Sequence, residues 1–590
     1  MFLFDDAYAI VDNVSIRTPA ALWALLATER PVVELSLAIN YAFGGLDPFG
    51  YHLFNLVVHL VAGLTLFGLV RKTIALKQSC GREPADTAHV TELAPGALFA
   101  LVVALIWLVH PLQTQSVTYV IQRGESMMGL FYLLTLYFFV RAVDSPRPLR
   151  WYAGSILACA LAMSSKAVAV TAPVLVVLYD YLFVERSLRN IARHRWGYYV
   201  VLCSTWGVLA ACGVFQHIFT PATDRTAVGL GFKGISPWEY ALTQPGVILH
   251  YLRLSFLPYP LCLDYAWPVA KTAGLMVWPL VLMVIPVLLT LWAVHRRHWL
   301  GFVGAWFFVI LAPTSSVIPV RDLAVEHRMY LPLGAVIVAA LAIAAAGFRA
   351  LANRWKLEER TRYQFAVSTL FLVVVALGVG TIRRNRDYDD DLGMWRDVAA
   401  KRPDNARAWI NIGVLSERRE DPAGAVEAYR KALRIAPEYP DGHYNLGVAL
   451  IRLKRNGDAE VAFQSAINLA PDYLPAHVNL GALLSLRGDL EGAAAEYRAA
   501  LSIAPRNADV RGRLAQVLAR LGRGDEAREE FLRTIELNPR DVSAHVSFGD
   551  LLRALGESEE AAKQYRQALT LDPHHRGAAK ALNQLPSASP

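Results

Sequence analysis

A chain of 590 residues that is 55% hydrophobic and only 18% charged does not make a single soluble domain. Its net charge of +8 does not mark a nucleic-acid binder, because Lys and Arg are scattered between apolar runs rather than gathered in one stripe. The five cysteines, Cys80, Cys159, Cys203, Cys212 and Cys262, form no C-x-x-C pair, which argues against a disulfide framework or a thiolate metal site.

In chain order, the opening MFLFDD lacks the basic n-region and long apolar stretch of a signal peptide. Residues 1–50 contain no spanning run and read as an outer segment with short amphipathic helices, carrying the adjacent carboxylates Asp5 and Asp6. Residues 51–385 then supply ten apolar stretches, near 51–71, 95–110, 118–141, 151–166, 167–184, 197–217, 273–294, 299–313, 331–348 and 363–382. The connections 71–94, 141–150, 185–196, 295–298 and 349–362 hold eighteen Lys and Arg, and the alternate segments far fewer. The positive-inside rule therefore puts the N-terminus and everything after Ile382 on the outer side. Arg383, Arg384 and Arg386 run against that assignment locally. Residues 242–268, broken by Pro245, Pro258 and Pro260, read as re-entrant or interfacial.

A connecting helix is expected within 386–405, and then the chain repeats. Pro437, Pro471, Pro505, Pro539 and Pro573 are 34 residues apart, and Gly413, Gly447, Gly481 and Gly549 recur in the same frame, with Ala515 in the fourth unit. Tyr429, Phe463, Tyr497, Phe531 and Tyr565 complete the pattern. Small residues that let two helices approach, with an aromatic filling the gap, define the tetratricopeptide repeat (TPR). Five units over 406–573, then a capping helix and tail over 574–590, make a solenoid whose concave face suits extended peptide or protein surface. The fold class is thus all-α, a polytopic membrane bundle followed by a TPR solenoid.

Polar side chains at membrane depth are costly and point to function. His52, Asn55 and His59 fall on one face of the first span, either as a packed hydrogen-bonding stripe or as part of a site; a metal would want a third ligand that the sequence does not supply. At outer turns stand His110, Gln115, Arg123, Glu125 and Lys166, and the dense loop 313–334 adds Glu326, His327, Arg328 and Tyr330. Arg as a fork and Lys as a point charge suit a phosphate. An outward carboxylate pair with outward cations suits transfer from a lipid-linked phosphate donor. The carboxylate takes a proton from an acceptor hydroxyl, and the cations stabilise the departing phosphate. Two adjacent carboxylates also suit a divalent cation, and the sequence leaves that choice open.

The runs FDDAYAIVDN, RPVVELSLAINYAFGGLDPFGYHLFNLVVH, VHPLQTQSVTYVIQR, SSKAVAVTAPVLVVLYD and APTSSVIPVRDLAVEHRMYLP, in that order before the repeats, resemble bacterial relatives of the transmembrane and tetratricopeptide repeat-containing O-mannosyltransferases. The resemblance implies a GT-C bundle in a bacterial inner membrane and a polyprenyl-phosphate sugar donor, typically mannose. It further implies inverting transfer to protein Ser or Thr on the outer face, with the repeats holding the acceptor protein. On that reading Asp5 and Asp6 are catalytic, and Arg30, His52, Asn55, His59, Arg123, Lys166, Glu326, His327, Arg328 and Tyr330 are the set for donor phosphate and substrate. Two departures stand out. The family has a spanning helix before its acidic pair, which is expected to be missing here, and Lys166-Ala167 replaces the family's Lys-Glu. The rival readings are a non-catalytic TPR scaffold for envelope or secretion assembly, and a transporter of lipid-linked sugar.

Overall fold

The computed structural model describes residues 6–17, 28–79, 95–214 and 235–585. It divides into two units, Met1–Arg402 and Pro403–Pro590. Among the described residues there is no β-strand, in keeping with the all-α expectation.

The first unit begins with short turns at Ala7–Val11 and Val14–Arg17, then α1 (Pro31–Gly44) and α2 (Pro48–Ser79). There follow α3 (Pro95–Val109), α4 (Thr114–Thr118), α5 (Arg123–Val143), α6 (Pro148–Met163) and α7 (Ala172–Tyr179), the last prolonged by a π turn over Asp180–Val184. Beyond these are α8 (Leu188–Ser204), α9 (Trp206–Ala211), α10 (Pro237–Phe256), α11 (Ala273–His295) and α12 (Trp299–Leu311). The unit closes with α13 (Pro332–Arg354), α14 (Glu359–Arg386) and α15 (Asp391–Lys401). Proline opens many of these helices, where its missing N–H costs nothing.

All ten apolar stretches are helical, but length separates them. Six helices among the described residues are long and apolar enough to cross a membrane, or seven if α3 and the segment Pro111–Thr118, bent by 55° from it, count as one span. The stretches at 151–166, 197–217 and 299–313 form helices that fall short of the roughly 20 residues a crossing needs. Ser164 and Ser165 end α6, and Thr205 breaks α8 from α9. The segment 242–268, read as re-entrant or interfacial, is not among the helices long and apolar enough to span. Its first half belongs to α10, which opens with a Ser236–Glu239 capping box and carries Pro245 inside, and extended chain follows. The span Val120–Val143 is 67% buried, whereas the best windows of Ala273–His295 and Glu359–Arg386 are 6% and 0% buried. The helix that carries Arg123 and Glu125 is therefore central, and α11 and α14 present apolar surface outward, as bilayer-facing helices do.

In the second unit the 34-residue period becomes five antiparallel helix pairs, from Ala406–Arg418 with Pro422–Ile435 to Val542–Ala554 with Ser558–Leu571. The closing helix is Arg576–Asn583. A β-carbon on Gly413 would lie 2.3 Å from Tyr429, and one on Gly447 2.6 Å from Phe463, so the small residue is what lets each pair close on its aromatic. Gly447→Leu is expected to destabilise this unit by about 2 kcal/mol. Gly457→Ala, in a helix with open space around it, should leave the unit's melting temperature unchanged or slightly raised. Thermal unfolding followed by circular dichroism checks both.

Candidate active site

Arg123 opens α5 and is fully buried. A guanidinium there needs acceptors at fixed positions, and two elements, α1 and α2, supply them. Nε donates to Asn55 Oδ1 at 2.7 Å, Nη1 to Ser36 Oγ at 3.2 Å and Nη2 to the Tyr51 carbonyl at 3.0 Å. The Phe54 ring lies 4.5 Å from its centre. Asn55 turns its other end to the Val117 carbonyl, at 3.1 Å. Arg123 and Asn55 thus clamp α1, α2 and α5 around the turn at 117–123, and both are committed to protein partners.

Asp6 docks on the same turn. It is buried, and its Oδ1 accepts the Ile121 amide at 2.8 Å, within the electrostatic reach of Arg123. Asp5 lies outside the described residues. His52 is half-buried on α2, one turn before Asn55, and Arg30 is exposed at the start of α1. His59 Nε2 donates to the Leu108 carbonyl at 3.1 Å, which leaves Nδ1 to accept the Tyr330 hydroxyl at 3.0 Å. His110 is similarly held, between the Ser255 carbonyl and the Leu112 amide.

Lys166 caps the turn before residues 167–184 and is ion-paired with Glu125 of α5. Glu125 thus provides Lys166 with a carboxylate partner from another helix, where residue 167 is Ala. Burial lowers the Lys166 pKa, against the opposing pull of Glu125. Arg30 and Arg328 are close enough to act electrostatically on this lysine, and Lys166, Arg328 and Arg30 all act on His327. Burial, reinforced by those three cations, pushes His327 well below its ordinary value and keeps it neutral.

The dense loop is fixed by a short 3-10 turn, Glu326–Met329. The His327 amide donates to Gln115 Oε1 at 2.9 Å, while its ring Nδ1 is buried with no hydrogen-bond partner among the described residues. Arg328 holds the loop's own carbonyls, Leu323 at 3.0 Å and Asp322 at 2.6 Å. The Tyr330 carbonyl accepts from Trp107 Nε1 at 2.8 Å and Gln113 Nε2 at 3.3 Å. Glu326, wholly buried, accepts from the Cys262 amide, from the Tyr265 hydroxyl at 2.9 Å and from Arg384 at 3.3 Å. Burial raises its pKa, and Arg384 is the main opposing influence.

Arg384 is the residue that sequence reasoning missed. Counted only as an exception to the charge rule, it is buried at the end of α14, bonded to Asp387 at 2.9 Å and 3.8 Å from Asp397. Lys401 joins the network through Asp397 at 2.6 Å and the Leu261 carbonyl at 2.8 Å, so α15 packs as part of the first unit. The acidic residues just downstream of the arginine triplet were the available signal. Among the described residues no group of three or more His, Cys, Asp or Glu is placed to hold a metal ion.

Of the sequence-predicted residues that the structure describes, Asp6, Asn55, His59, Arg123, Lys166, Glu326, His327, Arg328 and Tyr330 are held in linked polar contacts, whereas Arg30 is exposed and His52 is half-buried beside them, and among the described residues the His327 Nδ1 is left open. A polytopic helical membrane protein of this kind, continued by TPR repeats, is a distant relative of the transmembrane and TPR-containing O-mannosyltransferases. Residues 94–210 match the family model described as dolichyl-phosphate-mannose-protein mannosyltransferase, and tetratricopeptide repeat models match segments including 421–454, 484–547 and 542–575. Similar proteins include protein O-mannosyl-transferase Tmtc3 of Drosophila melanogaster, 29% identical over 210 residues, which are 32% of this chain and 23% of that protein. Protein O-mannosyl-transferase TMTC3 of Homo sapiens is 22% identical over 492 residues, 74% of this chain and 49% of its own length. The chain spans about half, or less, of the length of these curated relatives. A solved TPR protein, YrrB, covers 32% of this chain and 97% of itself at 20% identity and a TM-score of 0.30.

Arg384→Leu strands the buried Glu326 carboxylate and is expected to cost about 3–5 kcal/mol. Removing both charges, in Glu326→Leu with Arg384→Leu, should recover part of that loss. Thermal unfolding of the two variants in detergent checks the order.

Proposed function

We propose that this protein transfers a sugar, mannose in the first instance, from a polyprenyl-phosphate donor to Ser or Thr hydroxyls of a protein acceptor; its relatives are named protein O-mannosyl-transferases, and the matching family model is described as a dolichyl-phosphate-mannose-protein mannosyltransferase. The observation that carries the reading is the open, buried His327 Nδ1 on the loop that Gln115 and Arg328 hold, with Lys166 and Arg328 in electrostatic reach and Asp6 docked on the neighbouring turn. In this account the donor phosphate lies against Lys166 and the Arg328 side of the loop. The unpartnered His327 Nδ1 meets a phosphate or sugar hydroxyl. Arg123, Asn55, His59, Glu326 and Tyr330 hold the walls in place, and His52 borders the acceptor side.

The acceptor hydroxyl oxygen attacks the anomeric carbon as the bond from that carbon to the phosphate oxygen breaks. The configuration inverts, and polyprenyl phosphate leaves with the bonding pair. The hydroxyl proton passes to the acidic pair. Charge growing on the departing phosphate is stabilised by cations already in position, so no reorganisation is required as the bond breaks. Because Asp6 Oδ1 is engaged by the Ile121 amide, Asp6 anchors the segment and Asp5 is the better base. The reaction faces the outer side of a bacterial inner membrane, and the TPR unit holds the acceptor protein.

Asp5→Asn is expected to lower kcat about 100-fold or more with little change in donor KM. His327→Ala keeps the backbone bond to Gln115 and should instead raise donor KM. Transfer of radiolabel from polyprenyl-phosphate mannose to protein in purified membranes separates the two effects. An unchanged rate in Asp5→Asn removes the proposed base.

A further inference from the structure

Away from the site, the first unit contains a second feature that the transfer reaction does not use. A cavity of about 550 Å³ lies between α2, α3, α12, α13 and the segment 167–184. It follows α13 from Gly334 to Arg349, fifteen helical steps and so about 22 Å, which is long for a compact ligand and suits one extended chain. Its walls are hydrocarbon almost throughout. The hydroxyls of Thr73 and Tyr179 are 2.8 Å apart and bond each other, so the cavity lacks the two to four polar partners that would hold a water molecule.

The two ends differ. At the Gly334 end the lining residues Leu66, Trp306, Gly334 and Ala335 are buried. Above them Trp107 and Tyr330 pack edge to face with centroids 4.9 Å apart, and a β-carbon on Gly334 would already touch Trp107. This aromatic roof separates the cavity from Lys166, His327 and Arg328, none of which lines it. At the other end Ala346 and Arg349 are exposed, beside Trp299, so the cavity opens there. A tryptophan and an arginine at the mouth of an apolar slot between spanning helices match the interfacial setting of a lipid headgroup, and the cation favours an anionic one.

We propose that this cavity holds one acyl chain of an anionic phospholipid whose headgroup lies at Arg349, separate from any lipid-linked sugar donor. The closed roof argues against a donor tail entering from the candidate active site, and the positive mouth argues for an acidic headgroup. The site is independent of the proposed transfer reaction.

The test uses the full chain purified in detergent, with phosphatidylglycerol, phosphatidylcholine and polyprenyl phosphate added separately and retention read by native mass spectrometry. One phosphatidylglycerol per chain is expected, held about fivefold more tightly than phosphatidylcholine, the effect of one cation near an anionic headgroup. Arg349→Gln should abolish that preference, and Ala342→Trp, which fills the slot, should abolish retention. Because Ala342→Trp can also fail by misfolding, phosphatidylglycerol with a photoactivatable acyl chain is applied to the unaltered protein, where cross-links should fall at the cavity walls, within 66–74, 179–183, 299–306 and 334–349 and at Phe99. Cross-links elsewhere, displacement of the cross-linked phosphatidylglycerol by polyprenyl phosphate, or an undiminished headgroup preference in Arg349→Gln would overturn the assignment.

Discussion

Glu326 and Arg384 are both buried, and neither charge is tolerable there alone. Removing a carboxylate or a guanidinium from water costs several kcal/mol, which is offset only by a partner with good geometry and by filling the remaining hydrogen-bonding positions. Here the carboxylate is filled by Cys262, Tyr265 and Arg384, and the guanidinium by Glu326, Asp387 and Asp397. This one pairing ties the loop at 326–330, the chain after α10, the end of α14 and helix α15 to each other. The position of His327 and Arg328 follows from it. Arg123 performs the same service on the other side, where Asn55, Ser36 and Tyr51 fix the turn on which Asp6 docks.

The same constraint explains why so many of the polar side chains of the bundle face inward and meet. A carbonyl, imidazole or amide at membrane depth has no water to turn to, so each must find a protein partner. His59 does so with Leu108 and Tyr330, Lys166 with Glu125, and Gln115 with the His327 amide. Among the described residues His327 Nδ1 is one of several buried polar atoms without a partner, with Gln113 Oε1, Thr114 Oγ1, Ser116 Oγ and Arg384 Nε, and it also feels the charges of Lys166, Arg328 and Arg30. Buried polar atoms left open on this turn and loop are the positions where a polar ligand would find partners.

Much of this was legible in the chain, for definable reasons. The repeats are read directly, because a 34-residue period with Gly413 facing Tyr429 and its equivalents is a packing rule written in sequence. Polar residues inside apolar runs also announce themselves, which is why Asn55, His59, Arg123, Lys166 and the 326–330 loop were found. Pairings between helices were not legible. Glu125 meets Lys166 across 41 positions and Glu326 meets Arg384 across 58, and no local periodicity encodes such contacts. Arg384 therefore read as a stray charge, and Arg123 as a free phosphate ligand rather than a clamp. Three of the ten apolar stretches, at 151–166, 197–217 and 299–313, give helices shorter than a crossing needs among the described residues, because the turns at Ser164 and Ser165 and at Thr205 end helices where hydropathy gives no warning.

If the framework held by Arg123 and Arg384 is a glycosyl-transfer site, the full chain must move sugar. The most direct measurement is incorporation of label from radiolabelled polyprenyl-phosphate mannose into protein, in membranes containing this chain and in matched membranes without it, with release by alkaline elimination to show attachment to Ser or Thr. The account predicts alkali-labile label on protein only where the chain is present. No chain-dependent label from mannose or from any other lipid-linked sugar would contradict it.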